Sequence, residues 1–434
     1  MSFLNFYKRT RFFLWVNITG LAIGLATSIM LILFVVNELS YDKHFANNER
    51  IVRLLTAYED DNNLNFSPIS LLKAYTSLPE NVPGIETAVQ IYDLGSNELI
   101  REGQHFQNVR TLLTGPEFFQ VFQLKFIEGD PVTALEGTNS LVLTRRYADI
   151  VFGSPQAAIG KPVSIFETEM RVTAIVEELP KSTHFSFDVL ANTKLFSWLS
   201  EVGGLEFHTY YLIKEGVSIE DTRALIEKEY TTLLEPWSKA VGVNAYGETE
   251  MLSKVYLQSK AERSLGTTSS MSFIWLLSGL ALFILILAVT NFVNLFVTQG
   301  QMRMNEIGIR KANGATIDDI VRQFFKEVSG IVLFSFIIGF FIAIIFIPYF
   351  GELIGKNIDL KQLYTFPFIF SIILLFAFTV ILSAFYPAFY LSRFTPLEIL
   401  NKRVRFSKRT LTAGIVIFQS IVSIVLLSAI LVFV

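Results

Sequence analysis

The sequence predicts an α-helical integral membrane protein with a large α+β extracytoplasmic domain inserted between the first and second transmembrane helices. Three observations predict it. Hydrophobic residues make up 51% of the chain and 41 of its 434 residues are Phe, too apolar for an ordinary soluble domain of this size. Apolar runs long enough to cross a bilayer recur at 12–36, 271–298, 328–350, 366–391 and 411–434. The charges between those runs are sorted by side.

The segments 1–11, 299–327 and 392–410 together carry a net +9, whereas 37–270 holds 20 basic and 32 acidic residues, a net −12. The loop 351–365 is balanced, with two of each. Lys and Arg in short loops beside spans stay on the cytoplasmic side. The expectation is therefore a multi-pass membrane protein with its N-terminus in the cytoplasm and the large domain outside; a domain of that size favours a Gram-negative-type envelope, with the chain in the plasma (inner) membrane and the domain facing the periplasm. The whole-chain charge of −3 hides this division and gives no support to nucleic-acid binding. The first run exceeds the roughly 7–15 apolar residues of a signal peptide, and no small-residue cleavage site follows it, so it reads as an uncleaved anchor. With no cysteine, the exported domain relies on its own core, and thiol catalysis and Cys-based metal sites are excluded.

Within 37–270, alternation of apolar and polar residues predicts strands at 50–56, 140–143, 170–177 and 209–213. Helical spacing appears at 68–78 and 219–234, the second opened by Ser218 and Asp221 as a capping box. Gly, Pro and Asn clusters at 79–84, 129–131 and 153–162 separate the pieces. The fifth apolar run, 411–434, has two readings. Either the sequence is cut short there, or the basic-then-apolar stretch 403–416, which echoes 8–16, starts a second similar unit.

The cytoplasmic segment 299–327 resolves into two helices. Arg303, Glu306, Ile307, Gly308, Ile309, Arg310 and Lys311 lie on the first, at 303–312, which Asn313 and Gly314 close. Gly308 in mid-helix costs about 0.5–1 kcal/mol against Ala, a cost that close approach of another backbone would justify. Thr316 caps the second helix, with Asp318 and Asp319 in its first turn. Ile317, Ile320, Val321, Phe324, Phe325 and Val328 form one stripe, and Asp318, Asp319, Arg322, Lys326 and Glu327 take the other face. Such a helix is expected to lie along the inner surface before turning into the third span. Two readings stand for the first helix: Glu306, Arg310 and Lys311 offer paired charges to a partner's groove, or they are solvated and only set topology. Thr395, Pro396 and Glu398 open a further short helix, which is a second docking surface or a plain stop before the basic linker.

Inside the spans, Gly20-x-x-x-Gly24 and Gly339-x-x-x-Ala343 are close-packing motifs. Asn17, Asn291 and Asn294 are polar groups suited to bonding a neighbouring helix, and no charged residue interrupts the middle of a span, which weighs against a proton- or ion-coupled carrier. The catalytic search returns little. The run from Gly153 through Gly160, Lys161 and Pro162 has the wrong spacing for a phosphate loop, and Pro stands where Ser or Thr would hold magnesium. His44, His105, His184 and His208 are scattered without ligand spacing. Glu177 and Glu178 read as a solvated strand end, and no Ser sits in a nucleophile elbow.

The segment 302–315, with Glu306-Ile-Gly-Ile-Arg-Lys-Ala-Asn-Gly-Ala, resembles the coupling segment of FtsX/MacB-type ABC transporter permeases. Ile18-Thr-Gly-Leu-Ala-Ile-Gly-Leu-Ala is similar to the first span of that family. Pro116-Glu-Phe-Phe-Gln-Val-Phe, Glu128-Gly-Asp-Pro, Val151-Phe-Gly, Ile159-Gly-Lys and Leu179-Pro-Lys-Ser-Thr-His-Phe-Ser-Phe-Asp resemble its periplasmic core domain. Asn291-Phe-Val-Asn-Leu resembles its second span, and Tyr386-Pro-Ala-Phe with Thr395-Pro-Leu-Glu-Ile-Leu the end of its last.

The resemblance implies a permease subunit of an export or mechanotransmission complex. A separate cytoplasmic ABC ATPase would dock on 306–315, and its ATP-driven closure would move spans and periplasmic domain together. The chain itself is then no enzyme and binds no cofactor directly, ATP and Mg being held by the partner. A dimer or pseudo-dimer of permease units, a periplasmic adaptor and membrane lipids complete the implied partners. An envelope regulator of the same fold, switching a cell-wall hydrolase or a sensor, is the alternative. Members of this layout commonly continue into a second copy of the unit.

Overall fold

A computed structural model describes residues 11–60, 63–196, 198–199, 203–261, 264–302, 304–356, 358–392, 417, 420 and 421. The chain divides into two compact units, Met1–Asn37 with Ser272–Val434, and Glu38–Met271. Among the described residues, four helices are long and apolar enough to cross a membrane: Leu14–Glu38, Met271–Thr298, Ile317–Leu353 and Phe366–Phe385. Of the fifth run, only residues 417, 420 and 421 are described, and they are helical.

The chain enters through α1 (Arg11–Glu38), which is apolar all round. The second unit then builds one mixed sheet from β1 (Ile51–Asp60), β2 (Asn63–Ser67), β3 (Ser70–Leu71), β4 (Ile85–Arg101), β5 (Gln104–Thr114), β6 (Phe126–Glu128), β7 (Ser140–Thr144), β8 (Pro162–Ile165), β9 (Thr168–Val176), β10 (Val189–Asn192), β11 (Leu205–Ile213) and β12 (Asn244–Met251). The spine runs β12-β1-β11-β4-β5-β10-β7-β9-β6, with β2 on β1, β3 on β11 and β8 bridging β4 and β9. Only β10 with β5 and β7 with β9 pair in parallel; every other pair is antiparallel. The four strands expected from alternation are all present as β1, β7, β9 and β11.

The helices of this unit are α2 (Leu72–Asn81), α3 (Phe118–Val121), α4 (Arg145–Phe152), α5 (Pro155–Ala158), α6 (Ile219–Val241) and α7 (Leu252–Gln258). Two differ from expectation. The helix placed at 68–78 starts only at Leu72, because Ser70 and Leu71 are drawn into a short ladder with β11. Ser218 accepts from the Asp221 amide as the cap of α6, but that helix runs through Pro236 to Val241 and ends at left-handed Gly242. Its Ile226, Tyr230 and Leu234 face the sheet core, and this buried stripe outweighs one lost backbone bond. The Phe residues of the 116–122 and 185–187 motifs pack edge-on, Phe122 lying 5.1 Å from Phe185 and 5.1 Å from Phe45. Those motifs therefore build a core.

The membrane unit adds α8 (Met271–Met302), α9 (Met304–Ala312), α10 (Ile317–Leu353) and α11 (Phe366–Ser392). Here the structure corrects one expectation. The surface-lying helix and the third span are a single uninterrupted α10 of 37 residues. From Ile320 the apolar stripe continues through Phe324 and Val328 to Ile331, Val332, Ser335, Gly339, Ala343 and Ile347, so it is helix-packing surface and needs no turn into the membrane, while Ile317 at its start is exposed. At 1.5 Å per residue α10 is about 55 Å long, nearly twice the roughly 30 Å hydrocarbon core.

Candidate functional site

The charged segment that joins α9 to α10 is the candidate site. Gly314, at φ +93°, takes the left-handed position past the end of α9. The Ala315 amide donates to the Arg310 carbonyl at 3.1 Å and the Gly314 amide to that of Lys311 at 3.1 Å, which is a Schellman closure. One residue later Thr316 opens α10 with a full capping box: its Oγ1 accepts from the Asp319 amide, and its amide donates to Asp319 Oδ2. Two caps back to back leave almost no loose chain between the helices, so the connection is a stiff αα-hairpin.

Side chains tie the two arms. Arg310 Nη2 donates to Glu306 Oε1 at 2.8 Å, Arg310 Nη1 donates to Gln323 Oε1, and Gln323 Nε2 donates to Glu327 Oε1 at 2.8 Å. Buried Ile307 joins Ile320 and Phe324 in the span core, where Phe324 meets Phe296 of α8 edge-on at 6.1 Å. Glu327, expected on the solvated face, is buried, since its carboxylate accepts from Gln323. The i,i+4 spacings of Glu306 with Arg310 and of Gln323 with Glu327 were the available signal for this network, but nothing in sequence joins the two pairs across the turn. Gly308 is buried, whereas Ile309 (55% exposed), Asn313, Gly314 and Ile317 (53%) are open. Lys311 is half-exposed. Arg303, Thr395, Pro396 and Glu398 lie outside the described residues.

Replacing Gly314 by Ala forces a Cβ into the left-handed region at about 1–2 kcal/mol, whereas Asn tolerates it. Amide exchange across 304–316 in the full chain is expected to speed up several-fold in Gly314→Ala and little in Gly314→Asn.

The two small-residue motifs bring the first span against two other helices, Gly24 of α1 against α8 and Gly339 of α10 against α1. A Cβ on Gly24 would lie 2.3 Å from Ala288 Cβ of α8, and a Cβ on Gly339 would lie 2.8 Å from the Ala22 carbonyl oxygen and 3.2 Å from the Ala26 nitrogen. Ala343 is fully buried one turn further on. Gly20 is looser, its nearest neighbour being the Asn291 side chain at 3.6 Å. The helices therefore approach closely at both glycines, against the Ala288 methyl at Gly24 and against backbone at Gly339.

In the other unit, sequence reasoning missed a sealed polar chain. His184 bonds Asp42 Oδ1 through Nδ1 at 2.9 Å and the Tyr210 hydroxyl through Nε2 at 2.8 Å. Burial pushes the Tyr210 phenol up to about 12, and all three side chains are shut off from solvent, so they brace the fold rather than meet a substrate. His208 is wholly buried, and burial, then the charge of Arg53, lowers its pKa to about 3. Among the described residues, no three His, Asp or Glu side chains group as a metal would need.

Two family models match the chain in tandem: the MacB-like periplasmic core domain over residues 14–229 and the FtsX-like permease C-terminal region over 278–396. Together they span more than three quarters of it. No curated protein matches. Similar solved structures include a domain of a putative permease protein from Porphyromonas gingivalis (19% identity, 48% of this chain and 91% of that one, TM-score 0.42). Another is the periplasmic region of MacB from Actinobacillus actinomycetemcomitans (14%, 48% and 91%, TM-score 0.34). A third is the extracellular domain of the ABC-type transporter YknZ from Gram-positive bacteria (13%, 46% and 99%, TM-score 0.34).

Proposed function

This chain belongs to the FtsX/MacB-type ABC transporter permeases, and from that premise we propose that it is the membrane subunit of an export or mechanotransmission complex. Such permeases are components of ABC transporters and leave ATP hydrolysis to a cytoplasmic ATPase. On this reading the α9–α10 hairpin faces the cytoplasm, the Glu38–Met271 unit faces the periplasm, and two permease units present two hairpins to two ATPase subunits. A periplasmic adaptor would meet the exported domain.

The observation that carries the reading is the stiffness of the hairpin. A push on α9 has nowhere to dissipate, because the Schellman closure, the capping box and the Arg310–Gln323 bond pass it to α10. From α10 it reaches α1 through the backbone contact at Gly339, and α1 is the chain's covalent lead into the exported unit. The docking face follows from the same geometry. Glu306 and Arg310 are bonded to each other, so the exposed Ile309 and the hairpin tip are what a partner groove receives.

Ile309→Asp places a charge on that face without touching the hairpin's internal bonds. It is expected to weaken co-purification of the ATPase by about 2 kcal/mol, roughly thirtyfold, the cost of losing an interface anchor. The exported unit should keep its wild-type protease resistance. Undiminished co-purification and ATPase stimulation would remove α9 from the coupling role.

A further inference from the structure

We propose that the Glu38–Met271 unit holds a binding site for a small cationic amphiphile, an ammonium group on an apolar body, in a cavity between α2, β4, β11 and the 115–117 turn. The proposal is independent of ATPase coupling, since every lining residue belongs to this one unit. The cavity measures about 400 Å³, within the range of small-ligand sites.

Two acceptor oxygens stand at it without a hydrogen-bond partner among the described residues. They are Gln90 Oε1, on a side chain only 8% exposed, and Glu117 Oε2. Gln90 is fixed in mid-sheet, opposite Thr209 in the β4–β11 ladder. Glu117 folds back over Gly115, where a Cβ would lie 2.4 Å from Oε2, so glycine leaves the room this carboxylate occupies. Beside them, burial, then the Glu117 charge and a hydrogen bond to that carboxylate keep the proton on the Tyr75 hydroxyl, so Glu117 already takes one donor and Oε2 is its open oxygen. A buried acceptor left unpaired is unfavourable, and two of them on residues lining one cavity call for N–H donors.

Part of the remaining wall is apolar. Leu72, Phe196, Leu199 and Phe207 line it, and aromatic faces attract a cation as well as an apolar body. Lys194 also lines the cavity and is exposed, which disfavours a second positive charge and limits the ligand to one. The Asn192 side chain, also at the cavity, is already engaged with the Leu135 carbonyl and the Lys194 amide, so it is not a free recognition group.

The test titrates the full chain in detergent with 2-phenylethylammonium, its N,N,N-trimethyl analogue and 3-phenylpropionate, read by ligand-observed NMR. Saturable binding of 2-phenylethylammonium is expected, with binding at least about tenfold weaker in Glu117→Gln and in Gln90→Leu, as loss of a charge-assisted hydrogen bond gives. The trimethyl analogue, lacking N–H donors, should bind as weakly as those variants. Leu72→Trp fills the cavity from the partly exposed side of α2 without touching either oxygen, and it should abolish binding. Equal binding by wild type and all three variants, preference for 3-phenylpropionate through Lys194, or no saturable binding of any probe would each overturn the assignment.

Discussion

Arg53→Ala is expected to destabilise the Glu38–Met271 unit by about 3–5 kcal/mol, the usual cost of stripping one partner from a buried ion pair. Arg53 and Glu250 stand directly opposite in the β1–β12 ladder, so the backbone register alone brings them together. The guanidinium is fully buried and donates through Nε and Nη2 to Glu250 Oε1, while Nη1 donates to Ser264 Oγ at 2.8 Å and Nη2 to Ser259 Oγ at 2.9 Å. Removing Arg53 leaves the Glu250 carboxylate with one hydroxyl donor, Ser259 Oγ at 3.2 Å, in a site closed to water. Replacing both residues, as Arg53→Met with Glu250→Leu, removes the charge along with its partner and should recover most of the loss. Thermal unfolding of the full chain, followed by protease resistance of the Glu38–Met271 unit, reads both. A single mutant as stable as wild type would mean that the pair is not buried as described.

The second large effect lies in the spans. Gly339→Leu must push α10 away from α1, because its Cβ meets backbone at Ala22 and Ala26, which cannot rotate aside as a flexible side chain would. Overpacking of this kind costs about 1–3 kcal/mol, and separation of the helices breaks the proposed path of force as well. Gly24→Leu acts likewise against Ala288. Gly20→Ala is the internal control: its Cβ would be at ordinary contact distance from Asn291, so stability should stay within about 0.5 kcal/mol of wild type. Thermal aggregation of the three variants in detergent ranks them. Equal behaviour of Gly20→Ala and Gly339→Leu would contradict the close approach.

That contrast also shows where sequence is legible. Gly20 and Gly24 are equivalent in a GxxxG pattern, yet only the second carries the close contact, since the crossing point of two helices depends on all their side chains. Caps were readable because Thr316 and Gly314 act on their own neighbours, within four residues. The strands at 140–144 and 168–176 were readable from β-branched residues, but not that β7 and β9 lie side by side in parallel, which is set by long-range pairing. The β8–β9 hairpin turns at Phe166 and Glu167, both at positive φ, with no Gly or Asn to announce it. At the α9–α10 hairpin, charge pattern and helix ends were legible. The bond from Arg310 across the turn to Gln323 was not, and it changes which residues face outward. Glu117 and Gln90 gave no signal at all, being separated along the chain and brought to one cavity only by the sheet.

Coupling to a cytoplasmic ATPase requires α9 on the cytoplasmic side of the bilayer. The chain has no native cysteine, so Ile309→Cys provides a single exposed thiol at the docking face. In intact cells a membrane-impermeant maleimide should leave it unlabelled, and permeabilisation should open it to labelling unless the ATPase is bound. Labelling from outside in intact cells would place the hairpin on the wrong side and contradict the coupling role.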